Sequence, residues 1–213
     1  RDKRFKIKKQ ICKTGIYGAQ NIGFKFCNYD EWILFWGSDD WVFDNESFDK
    51  LFLKIKTLSE RNCNCDLAIC RAVYYDIKLN KKGRVSSFLD NKESSVINGI
   101  KFRQHLISGC SPPHQGTVFG PKSIQKLNKY NHNLKLSADL DYFLKLSRDK
   151  LLKVAVIDID LLYMGSDGVS SKNTIKRLKE VINAYFGEFK YLFWLPLFLR
   201  YIRKIRSLIK SKI

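Results

Sequence analysis

The chain has 213 residues, 45% of them hydrophobic and 14% aromatic, which excludes a disordered polymer and suffices for one domain with its own core. Its 39 Lys and Arg against 21 Asp and Glu leave a formal charge of +18. That balance favours an anionic partner, whether nucleic acid, anionic lipid headgroups or a phosphorylated substrate.

Residues 1–13 are basic and read as the frayed remnant of an upstream strand. Residues 16–27 read as a short helix, broken by Asn28, Tyr29 and Asp30. The run Trp32-Ile33-Leu34-Phe35-Trp36-Gly37 has the make-up of a strand buried on both faces, and Gly37 and Ser38 stop it. Two adjacent carboxylates, Asp39 and Asp40, therefore sit where a strand ends and a loop begins. In open α/β sheets, ligands bind at the carboxyl ends of strands. Paired acids beside a core repel one another and are costly to desolvate. A divalent cation shared with a substrate diphosphate accounts for them; so does simple capping of the next helix.

Asn45 suits the cap of a helix that places Phe48, Leu51, Phe52, Ile55 and Leu58 on one face. Residues 67–75 read as a strand, and Lys81-Lys82-Gly83-Arg84 as a hairpin turn. Asn98 can cap a helix through Phe102 and Leu106, Pro121 suits a helix first turn, and Ser137 can cap a helix that begins near Asp139. Residues 151–157 read as a second buried strand, with Asp158 and Asp160 on an exposed face, and Gly165-Ser166-Asp167-Gly168 as a loop. From Ser171 onward the pattern is helical. His105 and His132 read as surface residues. Strands alternating with helices argue for a layered α/β sheet.

Six cysteines show neither paired C-x2-C spacing nor a disulfide framework, so we read them as reduced thiols of a cytosolic protein. No secretory signal is seen. Residues 191–199 are apolar but short of the roughly 20 residues a bilayer span needs. Beyond Pro196, Phe198, Tyr201, Ile202, Ile205, Leu208 and Ile209 recur at helical spacing, while Arg200, Arg203, Lys204, Arg206 and Lys210 fill the other face. Such a helix suits an anionic membrane surface; the alternative is a helix that packs its apolar stripe on the domain. The expected division is 1–184 as the main domain and 185–213 as a basic amphipathic tail.

Gly15-Ile16-Tyr17-Gly18-Ala19-Gln20-Asn21-Ile22-Gly23, followed by Asp30-Glu31-Trp32-Ile33-Leu34-Phe35-Trp36-Gly37-Ser38-Asp39-Asp40, resembles the family 2 glycosyltransferases of the GT-A fold. Those proteins read G-I-Y-D-A-M-N-x-G and then G-E-W-I-x-F-L-x-S-D-D. Downstream, His114-Gln115-Gly116-Thr117-Val118-Phe119 looks like their H-Q-x-x-F-F segment, and Ser137-Ala138-Asp139-Leu140-Asp141-Tyr142-Phe143-Leu144-Lys145-Leu146 like their A-D-Y-D-L-x-L-R-L helix start. The segments come in the family's order and cover residues 14–171. The chain departs from the pattern in two places. It opens on Arg1 without the family's first βαβ unit, so the expectation is an N-terminally shortened form. The family's Asp in I-Y-D-A is Gly18 here, and its Met is Gln20.

The resemblance implies a GT-A mixed sheet flanked by helices, and inverting transfer of a sugar from a nucleotide-diphosphate donor, UDP-sugar first among them. Asp40 would bind Mg²⁺ or Mn²⁺ that bridges to the diphosphate, with Asp39 on the ribose or supporting the metal. Asp139 would be the general base, its ionised form favoured by a helix N-terminus; capping that helix is its other reading. Asp141, two residues on, faces elsewhere. Tyr17, Asn21, His114 and Gln115 are donor-contact candidates, although His114 equally suits a loop histidine satisfied by backbone, and Tyr17 a core position. Lys172 and Arg177 could reach phosphates if the loop ahead of them closes. The implied acceptor is a lipid-linked or cell-surface glycan, and the implied place is the inner face of the cytoplasmic membrane, bound peripherally. Two rival readings are an inactive glycosyltransferase fragment and a basic nucleic-acid-binding protein. The latter calls for a recognised motif or a face of clustered basic and aromatic residues, and no nucleic-acid partner is expected because neither is found.

Overall fold

The computed structural model describes residue 7 and residues 14–28, 30–61, 64–89, 94–165 and 173–210, with side chains of the last helix described as far as residue 206. Most of the basic stretch 1–13, Cys12, Cys63, residues 166–170 and Lys172 fall outside the described residues.

The strands are β1 (Ile33–Leu34), β2 (Asp40–Val42), β3 (Leu67–Asp76), β4 (Lys81–Ser86), β5 (Ser95–Asn98), β6 (Thr117–Phe119) and β7 (Lys153–Gly165). The helices are α1 (Ile16–Phe24), α2 (Ser47–Glu60), α3 (Gly99–Ile107), α4 (Pro121–Lys126), α5 (Ala138–Leu146), α6 (Thr174–Phe189) and α7 (Trp194–Lys210), with a 3-10 turn at Lys190–Leu192. The strands form one mixed sheet in the order β1-β6-β3-β7-β2, with β4 on β3 and β5 on β7.

The two central strands, β3 and β7, run parallel from Leu67↔Val154 to Tyr75↔Gly165; the other pairings are antiparallel. Their side chains alternate between two cores, as strand geometry requires. Leu67, Ile69, Val154 and Val156 join Phe102, Phe119, Tyr142, Phe143 and Tyr185 under α3, α5 and α6. Ala68, Cys70, Ala155 and Ile157 join Leu51 of α2 on the opposite face. Burial on both faces explains why 67–70 of β3 and 154–157 of β7 are uninterrupted apolar runs. Asn98 caps α3 as expected, its side chain accepting from Lys101 N at 3.0 Å, and Pro121 opens α4.

Several expectations are corrected. The Trp32 to Gly37 run is not a strand buried on both faces but a two-residue edge strand, half-buried and paired only to β6. Its apolar residues belong to packing around the strand: Phe35 to the first core, with Trp32 and Leu34 against the second. Residues 81–84 extend as part of β4; the turn lies at 77–80, where Asn80 takes the positive φ of 47°. Asp44 rather than Asn45 organises the start of α2, accepting from Glu46 N and Ser47 Oγ, and Phe52 is exposed. Asp158 and Asp160 are half-buried rather than exposed, because an irregular register in β7 brings both to Arg71 of β3. His105 and His132 are each half-buried. Cys27, Cys65, Cys70 and Cys110 are unpaired.

Candidate functional site

β1 and β3 run the same way, because each is antiparallel to β6. The carboxyl ends of β1 and β7 and the approach to β6 therefore share one edge of the sheet. In open α/β sheets this edge holds the ligand.

Asp39 and Asp40 stand on that edge. The turn from Gly37 closes through Asp40 N donating to Gly37 O at 3.3 Å, and the Asp40 carboxylate accepts from Gly37 N at 2.8 Å. Gly165, the last residue of β7, donates its N–H to Asp39 O at 3.2 Å. Both glycines leave room for the carboxylates: a β-carbon at Gly37 would lie 2.6 Å from an Asp40 carboxylate oxygen, and one at Gly165 would lie 2.6 Å from Asp39 Oδ2, so either would push the acid side chain aside. Burial, and then the neighbouring Asp39 charge, push the Asp40 carboxyl above its ordinary value, against the pull of the Gly37 and Gly165 N–H groups. Asp39 is exposed and Asp40 half-buried. At the start of α2 it is Asp44, not Asp39 or Asp40, that accepts from Glu46 N and Ser47 Oγ.

A second group is built around Tyr130. Asn21 of α1 clamps its backbone, donating to Tyr130 O at 2.9 Å and accepting from Tyr130 N at 2.6 Å. The Tyr130 hydroxyl meets His114 Nε2 at 2.8 Å. His114 is buried, stacks on Phe35 and lies edge-on to Tyr17. Burial holds its imidazole below the ordinary value, opposed by the Asp139 charge. Tyr17 donates to Asp139 Oδ1 at 3.1 Å, and burial followed by that carboxylate pushes the Tyr17 phenol well up.

Asp139 sits in the first turn of α5, half-buried. Asp141 faces elsewhere, paired with Lys145 at 2.7 Å. Gln115 is half-buried in the turn before β6, in which Thr117 Oγ1 donates to Pro113 O at 2.8 Å.

The structure thus gathers Tyr17, Asn21, His114 and Asp139, and sets Asp39 and Asp40 at a neighbouring turn reached through Phe35. Among the described residues, no hydrogen bond or ion pair joins the two groups.

Two residues escaped the sequence reading. Tyr130, the hub, lies in irregular chain with no periodicity to mark it. Glu180 of α6 is buried and accepts from the N–H groups of Lys135, Leu136 and Ser137 at 2.9, 2.7 and 3.0 Å. The Ser137 side chain expected to cap α5 makes no cap bond, and Glu180 holds instead the backbone immediately ahead of the helix. Its signal was available, since Glu180 shares the apolar face of α6 with Val181, Ala184 and Tyr185.

Among the described residues, no group of three or more His, Cys, Asp or Glu could hold a metal ion. The protein's own donors at the first turn are two carboxylates. These hard oxygen ligands fit Mg²⁺ or Mn²⁺ only together with oxygens from a bound phosphate, which is how magnesium is commonly held.

No family model matches the chain, and no curated protein matches it. Solved structures do. S. aureus TarS 1-349 matches at 16% identity with a TM-score of 0.52, over 80% of this chain and 44% of that one. The complex of TarS 1-349 with UDP matches at 15% identity with a TM-score of 0.52, over 83% of this chain and 47% of that one. The fold is shared with TarS. It is the GT-A type of mixed sheet flanked by helices expected from the sequence. The longer TarS structure is covered over 27% of its length, so the chain spans less than half of each of these neighbours.

Proposed function

We propose that the chain is the sugar-transferring part of a glycosyltransferase that takes a UDP-sugar as donor. The observation that carries this reading is the Asp39–Asp40 pair, wedged between Gly37 and Gly165 at the carboxyl edge of a sheet shared with a protein that binds UDP. In this reading Asp40 is the metal ligand, with Asp39 on the ribose or behind the metal. A bound Mg²⁺ or Mn²⁺ would neutralise the leaving diphosphate. Asp139 is the general base. The acceptor hydroxyl oxygen attacks the anomeric carbon, the bond from that carbon to the diphosphate oxygen breaks, its electron pair leaves with UDP, and the hydroxyl proton passes to Asp139. Attack opposite the leaving group inverts the anomeric centre. Tyr17 fixes the Asp139 carboxylate through its 3.1 Å hydrogen bond. Asn21, His114 and Gln115 shape the donor pocket beside it.

Residues 1–184 form the transferase part, and 185–213 the tail that meets an anionic membrane at the inner face of the cytoplasmic membrane. No helix of the described residues is long and apolar enough to cross a membrane. The acceptor is a hydroxyl of a lipid-linked or cell-surface glycan, whose phosphates would suit a chain of charge +18.

A second reading, a domain that keeps this core without donor affinity, is favoured by Gly18. It is buried in α1 where the family pattern carries an Asp. Calorimetric titration of UDP, with and without Mn²⁺, separates the two. Metal-dependent binding that Asp40→Ala abolishes supports the transferase. Absence of binding by the wild-type chain favours the second reading.

A further inference from the structure

The last helix is oriented opposite to the usual rule for amphipathic surface helices, which turn their apolar stripe to the core. α7 is seated on its cationic side. Gly109, at φ +88°, accepts the helix backbone so closely that a β-carbon there would lie 2.6 Å from Arg200 N. Pro196 is buried and Leu197 packs on the main core. At about 100° per residue, Phe198 and Ile205 fall on the side of the helix away from Arg200, with Trp194 and Tyr201 beside them. Trp194, Phe198 and Ile205 are 56%, 59% and 57% exposed, and Leu195 and Tyr201 extend the same surface. The alternative arrangement, an apolar stripe packed on the domain, is therefore not the one this helix adopts.

The charges around this stripe name its occupant. From Phe189 to the end of the sequence there is no acidic residue. Burial, and then the guanidinium groups of Arg177, Arg84 and Arg200, hold Lys204 below the ordinary lysine value, so cations crowd one another here. Two such stripes face to face would bring like charges together, which disfavours a second copy of the chain. We propose that the outward stripe of α7 docks on an anionic lipid surface. Its aromatic and aliphatic side chains enter the acyl boundary, and Lys204 and Arg206, exposed on the two flanks of the stripe, reach lipid phosphates along their flexible stems. This deepens the membrane placement given above without resting on the donor chemistry, so vesicle binding and UDP binding can fail separately.

The test floats the full chain with vesicles of phosphatidylcholine alone, or of phosphatidylcholine mixed with phosphatidylglycerol, at low and high salt. The expected result is flotation on the anionic vesicles, weakened by salt, and none on phosphatidylcholine alone. Phe198→Glu together with Ile205→Glu should lower partitioning by roughly tenfold or more, since each removes buried apolar surface, while circular dichroism shows the fold retained. Should that variant misfold, quenching of tryptophan fluorescence by brominated acyl chains, reduced in Trp194→Phe, reads the same contact. Flotation absent on anionic vesicles, or undiminished by the double substitution, overturns the proposal. So does a dimer in sedimentation velocity that the double substitution splits while vesicles bind nothing.

Discussion

Tyr17 and Asp139 stand 122 residues apart in the chain and meet at 3.1 Å, joining the second residue of α1 to the first turn of α5. The bond gives the carboxylate a fixed direction before any ligand arrives. Tyr17→Phe keeps the ring that packs against His114 and Tyr130 and removes only the donor. It should lower stability by about 0.5–1.5 kcal/mol, the usual net worth of one hydrogen bond, read from the midpoint of a urea transition. Asp139→Asn keeps a hydrogen-bonding oxygen but cannot take a proton. It should retain UDP binding and the fold while transfer falls by about a hundredfold or more.

Asp40 is held ionised at a cost, because burial and Asp39 both raise its carboxyl above 3.8. A carboxyl whose folded value lies above its unfolded value binds more protons folded than unfolded in that interval, so its contribution to stability falls as pH rises through it. Asp40→Asn removes this cost. The variant should unfold at a slightly higher temperature than the wild type at neutral pH, on the order of a degree or two. The difference should disappear as pH drops below 3.8, while Mn²⁺-dependent UDP binding is lost at every pH. Thermal melts at stepped pH check the sign. A variant less stable than wild type at pH 7 would mean that the Gly37 and Gly165 N–H groups outweigh the burial.

What the sequence made legible was whatever repeats along it. β3 and the first part of β7 are legible because both faces are buried, so 67–70 and 154–157 run without a polar gap; Asp158 and Asp160 interrupt the pattern, and the strand continues past 157 to Gly165 unseen in the sequence. Asn98 and Pro121 were visible because caps and first turns are local chemistry. The edge strand was misjudged because Trp32, Leu34 and Phe35 look alike in sequence whether they line a central strand or pack around a short one. Asp158 and Asp160 were misjudged because their partner, Arg71, reaches them only through the irregular register between β3 and β7. The motif residues Tyr17, Asn21, His114 and Asp139 were named as separate candidates. Only the fold shows that Tyr130, which no motif contains, touches Tyr17, Asn21 and His114.

Glu180 supplies the last test, because it acts on the candidate base from a distance. Its carboxylate takes three backbone N–H groups, from Lys135, Leu136 and Ser137, immediately ahead of the helix that carries Asp139. In Glu180→Gln one carboxylate oxygen becomes an NH₂, which must face one of those N–H groups donor to donor. Hydrogen bonds to a charged group contribute more than neutral ones, and a buried donor left without a partner costs its desolvation, so the substitution should destabilise by about 2–4 kcal/mol. The loss should be local before it is global. Amide hydrogen exchange at residues 135–137 should accelerate well ahead of exchange in β3, because strand amides open only with the whole core. Transfer should fall with UDP binding largely kept, since Glu180 holds the start of α5 rather than the Asp39–Asp40 turn. Equal acceleration throughout the chain would instead make Glu180 a general support of the fold, with no particular hold on Asp139.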